Sequence, residues 1–154
     1  GYFYFERTEK MLKFNQTTDL TSKCYQDALV IRKKVFIEEQ GVDPALEIEN
    51  EAAAEHFVAY SEGKPAATAR ILIEEGPSWH IKRVATLPEF RGQKISKSLM
   101  EYLEKNAFKQ GIRFLRLGAQ DQAQGFYRKL GYQVEGDAFL DAGIVHHQMQ
   151  KILF

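Results

Sequence analysis

The sequence predicts a single α/β domain of the α+β kind: a mixed central sheet with an antiparallel meander and a parallel strand pair, and helices on both faces. Three observations carry this expectation. Strand candidates at residues 55–60, 66–73 and 79–86 follow one another with no helix between them, which makes an antiparallel meander. Residues 79–117 then read as strand, helix and strand, the unit that forms a parallel pair through a right-handed crossover. The 154 residues, 44% of them hydrophobic, suffice for one ordinary core, and neither internal repeats nor low-complexity tracts divide them.

The elements follow in order. Leu12-Lys13-Phe14 alternates as a short strand. Thr17, Thr18 and Asp19 offer N-cap side chains for a helix to about Glu39, whose stripe is Cys24, Ala28, Ile31 and Val35. On that stripe Cys24 reads as a small core hydrophobe. The acidic stretch 43–51 is expected to be a loop, either solvated or attracting a cationic substrate. Residues 61–65 have hairpin chemistry between the first two meander strands, and Gly76-Pro77 turns the chain into the third. Gly111 closes the central helix ahead of a strand at 112–117. A helix at 120–130 follows, with Ala123, Phe126, Tyr127 and Leu130 on one face, and strands at 132–134 and 144–152 end the chain.

Composition excludes several classes. Twenty-one basic and 21 acidic residues cancel and form no basic stripe, so a dedicated nucleic-acid binder is not expected. The lone Cys24 cannot make an intrachain disulfide, which suits a cytoplasmic location. No apolar run approaches the roughly 20 residues that span a bilayer, and the first residues lack a signal-peptide layout. Met11 is a candidate native initiator. Residues 1–10 are therefore expected to be an added or disordered N-terminus ahead of a domain at 11–154.

The chain is organised around residues 79–107. Pro88 ends the strand, Gly92 permits a tight turn, and Ile95, Leu99, Tyr102 and Leu103 mark the buried face of a helix. A helix start carries about four unpaired N–H groups and a positive dipole end, a ready phosphate site, to which Arg91 and Lys94 add charge. At the start of a helix Lys94 is expected to have ordinary helical φ, so its N–H can serve the cradle without glycine.

The run Arg83-Val84-Ala85-Thr86-Leu87-Pro88-Glu89-Phe90-Arg91-Gly92 resembles motif A of the GCN5-related N-acetyltransferase (GNAT) superfamily. There the pyrophosphate of acetyl-CoA sits on a loop of pattern Gln/Arg-x-x-Gly-x-Gly/Ala; here Lys94 stands at the first Gly and Ser96 at the Gly/Ala. The stretch from Ala119 to Tyr132 resembles motif B, Asn-x-x-Ala-x-x-Phe-Tyr-x-x-x-Gly-Phe, with Gln120 for the Asn and Tyr132 for the final Phe. Residues 32–42, with Arg32, Val35 and Phe36 followed by Glu39-Gln40, resemble a segment of one GNAT subgroup and of acyl-homoserine-lactone synthases.

The resemblance covers residues 12–153 and implies a GNAT fold whose parallel strands splay apart to admit acyl-CoA. It places the backbone of Val84, Ala85 and Thr86 along the pantetheine. Arg91, Gly92, Gln93, Lys94, Ile95 and Ser96 would meet the phosphates, and Gln120 would also lie with the cofactor. Tyr127 is the implied general acid for the departing CoA thiolate; the other reading is a core aromatic. An alkylamine acceptor is only about one part in a thousand neutral at pH 7, so a base helps. His80, four residues before Val84 and on the same face by alternation, is the first candidate, a bystander role being equally open. Arg32, Phe36, Glu38, His56 and His146 are the substrate-facing candidates. Adjacent His146 and His147 point to opposite faces of a strand, so no metal site is expected.

The implied activity is acetyl transfer from acetyl-CoA to an amine by direct attack in a ternary complex, with no metal. A non-catalytic acyl-CoA-binding module and an acyl-homoserine-lactone synthase are the alternatives. Small-molecule and protein amines both stand as acceptors, with neither nucleic acid nor membrane as partner, and a homodimer is left open.

Overall fold

The computed structural model describes residues 11–154; the expectation for residues 1–10 lies outside the described residues. Among the described residues, seven strands make one sheet in the order β1-β2-β3-β4-β5-β7-β6. They are β1 (Leu12–Thr17), β2 (Ala54–Ser61), β3 (Lys64–Glu74), β4 (Ser78–Thr86), β5 (Phe114–Gln120), β6 (Gln133–Asp141) and β7 (Ile144–Ile152). β2 to β4 form the expected meander, β1 adds antiparallel to its edge, and β4 with β5 is the parallel pair.

Helices cover both faces. Helix α1 (Lys23–Arg32) starts at Ser22, whose hydroxyl accepts from the Tyr25 N–H, and lays Cys24, Ala28 and Ile31 on Val58 and Ala85. Helix α2 is the single turn Pro44–Glu47. On the opposite face, α3 (Ile95–Lys109) packs Ile95, Leu99, Met100, Leu103 and Ala107 against Phe57, Ile71, Trp79, Ile81 and Leu115. Full burial of such side chains contributes roughly 1.5–3 kcal/mol each. Helix α4 (Gln124–Lys129) closes the end of β5.

Three segments differ from expectation. The first helix stops at Arg32 and continues as a π-helix, Lys33–Glu39. The Gln40 N–H reaches the Val35 carbonyl at 3.2 Å, and one more residue per turn widens the coil beside β4. The acidic stretch 43–51 is neither solvated nor simply loop. It folds as α2 and the 3-10 turn Glu51–Ala53, and Glu47 and Glu51 are 2% and 8% exposed. They are buried because Arg32 lies between them, with Nε donating to Glu47 at 2.7 Å and a second bond from Nη2 to Glu51. Finally, β6 is far longer than residues 132–134. It is an edge strand exposed on most positions, so no alternating pattern marks it.

Candidate active site

The parallel pair holds together only along residues 78–81 of β4 and 114–117 of β5, and beyond Ile81 and Leu117 the strands separate. The reason on the β4 side is a bulge. The β3–β4 register shifts between Thr68 and Arg70, and Arg83 has a positive φ of 55°. An extra residue reverses side-chain parity. Val84 therefore packs into the α3-side core while Ala85 packs under α1, so His80 and Val84 do not share the face that simple alternation assigns them. On the β5 side Gly118 has no side chain, and Phe139 uses the space: its Cζ lies 2.7 Å from where a Cβ would stand.

A cavity of about 440 Å³ fills this splay. Its walls include Phe36 and Gln40 from the π-helix end, His80 to Val84 of β4, Leu117 to Gln120 of β5, Tyr127, Phe139 and His146. Tyr127 is 7% exposed and touches Phe126 and Tyr132 edge-on, at 5.0 and 5.8 Å between ring centres. Burial pushes its phenol far above the ordinary value, so the hydroxyl keeps its proton. His80 donates from Nδ1 to the Glu74 carboxylate at 3.3 Å, and burial, against the pull of Glu74, holds its imidazole below the ordinary value.

The neighbouring aromatic, Phe126, faces a second cavity of about 480 Å³ at the N-terminus of α3. Thr86, Arg91, Gly92, Lys94, Ile95 and Ser96 line it, joined by Lys97 and Lys129. The Thr86 and Ser96 hydroxyls bond to each other and pin the strand end to the helix start. Arg91 reaches back through Nε to the Thr86 carbonyl at 3.0 Å and grips Glu39 with both terminal nitrogens, at 2.7 and 3.1 Å. That ion pair ties the loop to the π-helix. Gln93 turns its amide to the Glu89 carbonyl. Lys94 overturns its expectation: φ is 63° and ψ 19°, left-handed, as the cap of α3. The loop passes through two consecutive reversals, at Gly92 and Lys94, and the second is a position that suits glycine.

Of the other candidates, Phe36, His80 and His146 line the splay cavity. Gln120 lies there too, away from the cavity at the start of α3, with its amide donating to Gln40 at 3.2 Å. Three substrate-facing expectations are corrected. Arg32 is fully buried on Glu47 and Glu51. His56 is fully buried, its Nε2 at 3.1 Å from the Glu51 carbonyl, and Tyr25 packs on its edge. Glu38 is exposed and lines neither cavity, because the wider π turn presents Gln40 in its stead. Gln40 and Arg83 stood inside the quoted motifs without a role of their own, and Gly118, Phe139, Lys97 and Lys129 were passed over in the sequence. Gly118 was detectable, since a glycine inside a strand marks a close approach.

Residues 20–153 match a family model described as acetyltransferase (GNAT) domain. The chain is 38% identical over 128 residues to the uncharacterized N-acetyltransferase YjcF of Bacillus subtilis, covering 82% of this chain and 91% of that one. Among solved structures it is similar to an acyl-CoA N-acyltransferase from Pseudomonas aeruginosa, with TM-score 0.78, 26% identity and coverage of 93% and 99% of the two chains. It also shares its fold with PaiA N-acetyltransferase from Thermoplasma acidophilum, solved in complex with coenzyme A, at TM-score 0.68, 18% identity and coverage of 92% and 99%.

Proposed function

The chain belongs to the GNAT acetyltransferase family, whose members move acyl groups from acyl-CoA to amines, and on that premise we propose that it acetylates an amine by direct attack on acetyl-CoA. The observation that carries the reading is the pairing of two cavities across the Phe126–Tyr127 step. One is cationic and sits at a helix N-terminus; the other holds a protonated phenol between splayed strands.

In this reading the CoA phosphates sit on the backbone from Gly92 to Ser96, with Lys94, Lys97 and Lys129 supplying charge. Arg91 contributes by holding the loop onto Glu39 and Thr86. The pantetheine arm lies along the unpaired edge of β4 at Val84 to Thr86, where strand bonds to β5 have ceased. The acetyl thioester then meets Tyr127. His80, neutral at pH 7 because burial lowers its proton affinity, takes a proton from the acceptor ammonium. The amine nitrogen attacks the thioester carbonyl carbon, the C–S bond breaks, and Tyr127 gives its proton to the departing thiolate. Phe36, Gln40, Gln120 and His146 form the acceptor side.

The test is thermal. Acetyl-CoA at about 100 times its dissociation constant should stabilise the fold by roughly 2.7 kcal/mol, and dephospho-CoA should do less. A melting temperature unmoved by millimolar acetyl-CoA would remove the foundation of the reading.

A further inference from the structure

Gly118 is the first residue of β5 beyond the last paired position, Leu117, so it stands where the parallel strands begin to part. Its backbone is ordinary strand and not left-handed, so conformation does not require glycine there. Space does. The Cζ of Phe139 lies 2.7 Å from where a Cβ would stand, and both Cε atoms lie 3.6 Å from it, so the ring rests tip-first on the strand. Leu117 and Ala119, which alternate to the other face of β5, are buried in the core and hold that strand in place.

Phe139 belongs to β6, which is separated from β5 by β7. It reaches Gly118 because β6 carries a bulge. Glu135 faces Gln148 while Ala138 faces His147, so β6 advances three residues where β7 advances one. Gly136, with φ of 69°, lies within the two extra residues. They bring Phe139 opposite His146, on which its ring stacks at 5.7 Å and 29°. The ring is 39% exposed and forms part of the wall of the splay cavity.

In the acetyltransferase reading the pantetheine arm runs along β4 from Thr86 to Val84, toward the point where the strands meet at Ile81 and Leu117. The acyl group rides at the tip of that arm and arrives beside Gly118, with the Phe139 ring across its path. A short acyl group ends before the ring. A longer one has to displace an aromatic that is already seated on backbone. We propose that Phe139, standing on Gly118, is the stop for the acyl group, so that the site takes acetyl and rejects butyryl and longer chains. This rests on the acetyltransferase reading and assigns its acyl selectivity to Phe139, a specificity-determining residue.

Acyl-CoA binding requires no acceptor, so the test is calorimetric titration of CoA, acetyl-CoA, butyryl-CoA and hexanoyl-CoA into the wild-type protein, Phe139→Leu and Phe139→Ala. Phe139 is half-exposed on an edge strand, so both variants should fold. The wild type should bind acetyl-CoA at least as tightly as CoA, and hexanoyl-CoA at least about tenfold more weakly than acetyl-CoA. Phe139→Ala should reverse that order, each added methylene that enters the vacated apolar space tightening binding by up to about fourfold. Phe139→Leu removes the ring tip and should admit butyryl-CoA while still disfavouring hexanoyl-CoA; it decides the matter if the alanine variant does not fold. Wild-type binding that is indifferent to chain length overturns the stop, and so does a wild-type preference that survives unchanged in the folded variants. A wild-type protein that does not bind CoA itself overturns the transferase reading and the stop with it, whereas CoA binding without chain-length discrimination overturns the stop alone.

Discussion

Replacing Lys94 by glycine should make the protein more stable while weakening its hold on CoA. Lys94 is left-handed, with φ of 63°, and exposed at the cap of α3. A non-glycine residue held there costs roughly 1–2 kcal/mol relative to a relaxed backbone. Glycine removes that cost but gives the unfolded chain more freedom, which takes back about 0.4–1 kcal/mol. The net gain is about 0.5–1 kcal/mol. For a domain of 154 residues, 1 kcal/mol shifts Tm by about 2–4 °C, so a rise of about 1–4 °C is expected by calorimetry. The lost ammonium acts in the opposite direction on ligand. An exposed pair contributes about 0.2–1 kcal/mol, so CoA affinity should drop by up to about fivefold and depend less steeply on salt. Lys94→Ala separates the two effects. It removes the same charge but keeps the Cβ, and so should lose the same affinity without gaining stability. A lower Tm in Lys94→Gly would refute the strain argument. A tenfold or greater tightening of CoA would show instead that the side chain obstructs the loop.

The other predictions are shorter. Tyr127→Phe removes one hydroxyl from a ring held by packing, so folding and CoA binding should persist while kcat falls about 10²–10⁴-fold; full activity would make Tyr127 a core aromatic alone. Arg32→Met removes the shortest ion pairs of buried Glu47 and Glu51, leaving them Arg83 and Arg70 at 3.5 Å, and should destabilise by about 3–5 kcal/mol in urea titration, whereas a loss under about 1 kcal/mol would mean the cluster relaxes freely. Burial holds both His56 and His80 below the ordinary imidazole value of 6.5. The unfolded chain then takes up protons that the folded state resists, so stability present above pH 6.5 declines as pH falls below it. Urea midpoints at about pH 7.5 and about pH 5.5 should show the decline, and His56→Gln should shrink it; a higher midpoint at the acidic pH would contradict the sign.

What the sequence by itself determined was everything that depends on local pattern. The meander, the strand–helix–strand unit and the α3 stripe repeat apolar residues at periods of 2 and 3.6, because each element buries one face. The turn at residues 88–94 and the Phe126–Tyr127 step were legible from short motifs, since a turn chemistry and an adjacent aromatic pair are written in consecutive residues. What only the tertiary structure decided depends on residues far apart in the chain. Arg32 and His56 look like reactive groups in a list, and burial beside Glu47 and Glu51 turns them into scaffold. The bulge at Arg83 reverses the parity that alternation assigns to Val84, because register is set by the partner strand and not by the strand itself. The left-handed cap at Lys94 is imposed by the path from β4 into α3, fastened at Thr86–Ser96 and Arg91–Glu39. No local propensity announces a lysine there. The wall of the splay cavity joins the π-helix end, β4, β5, β6 and β7, segments that meet only when the sheet has closed around the splay.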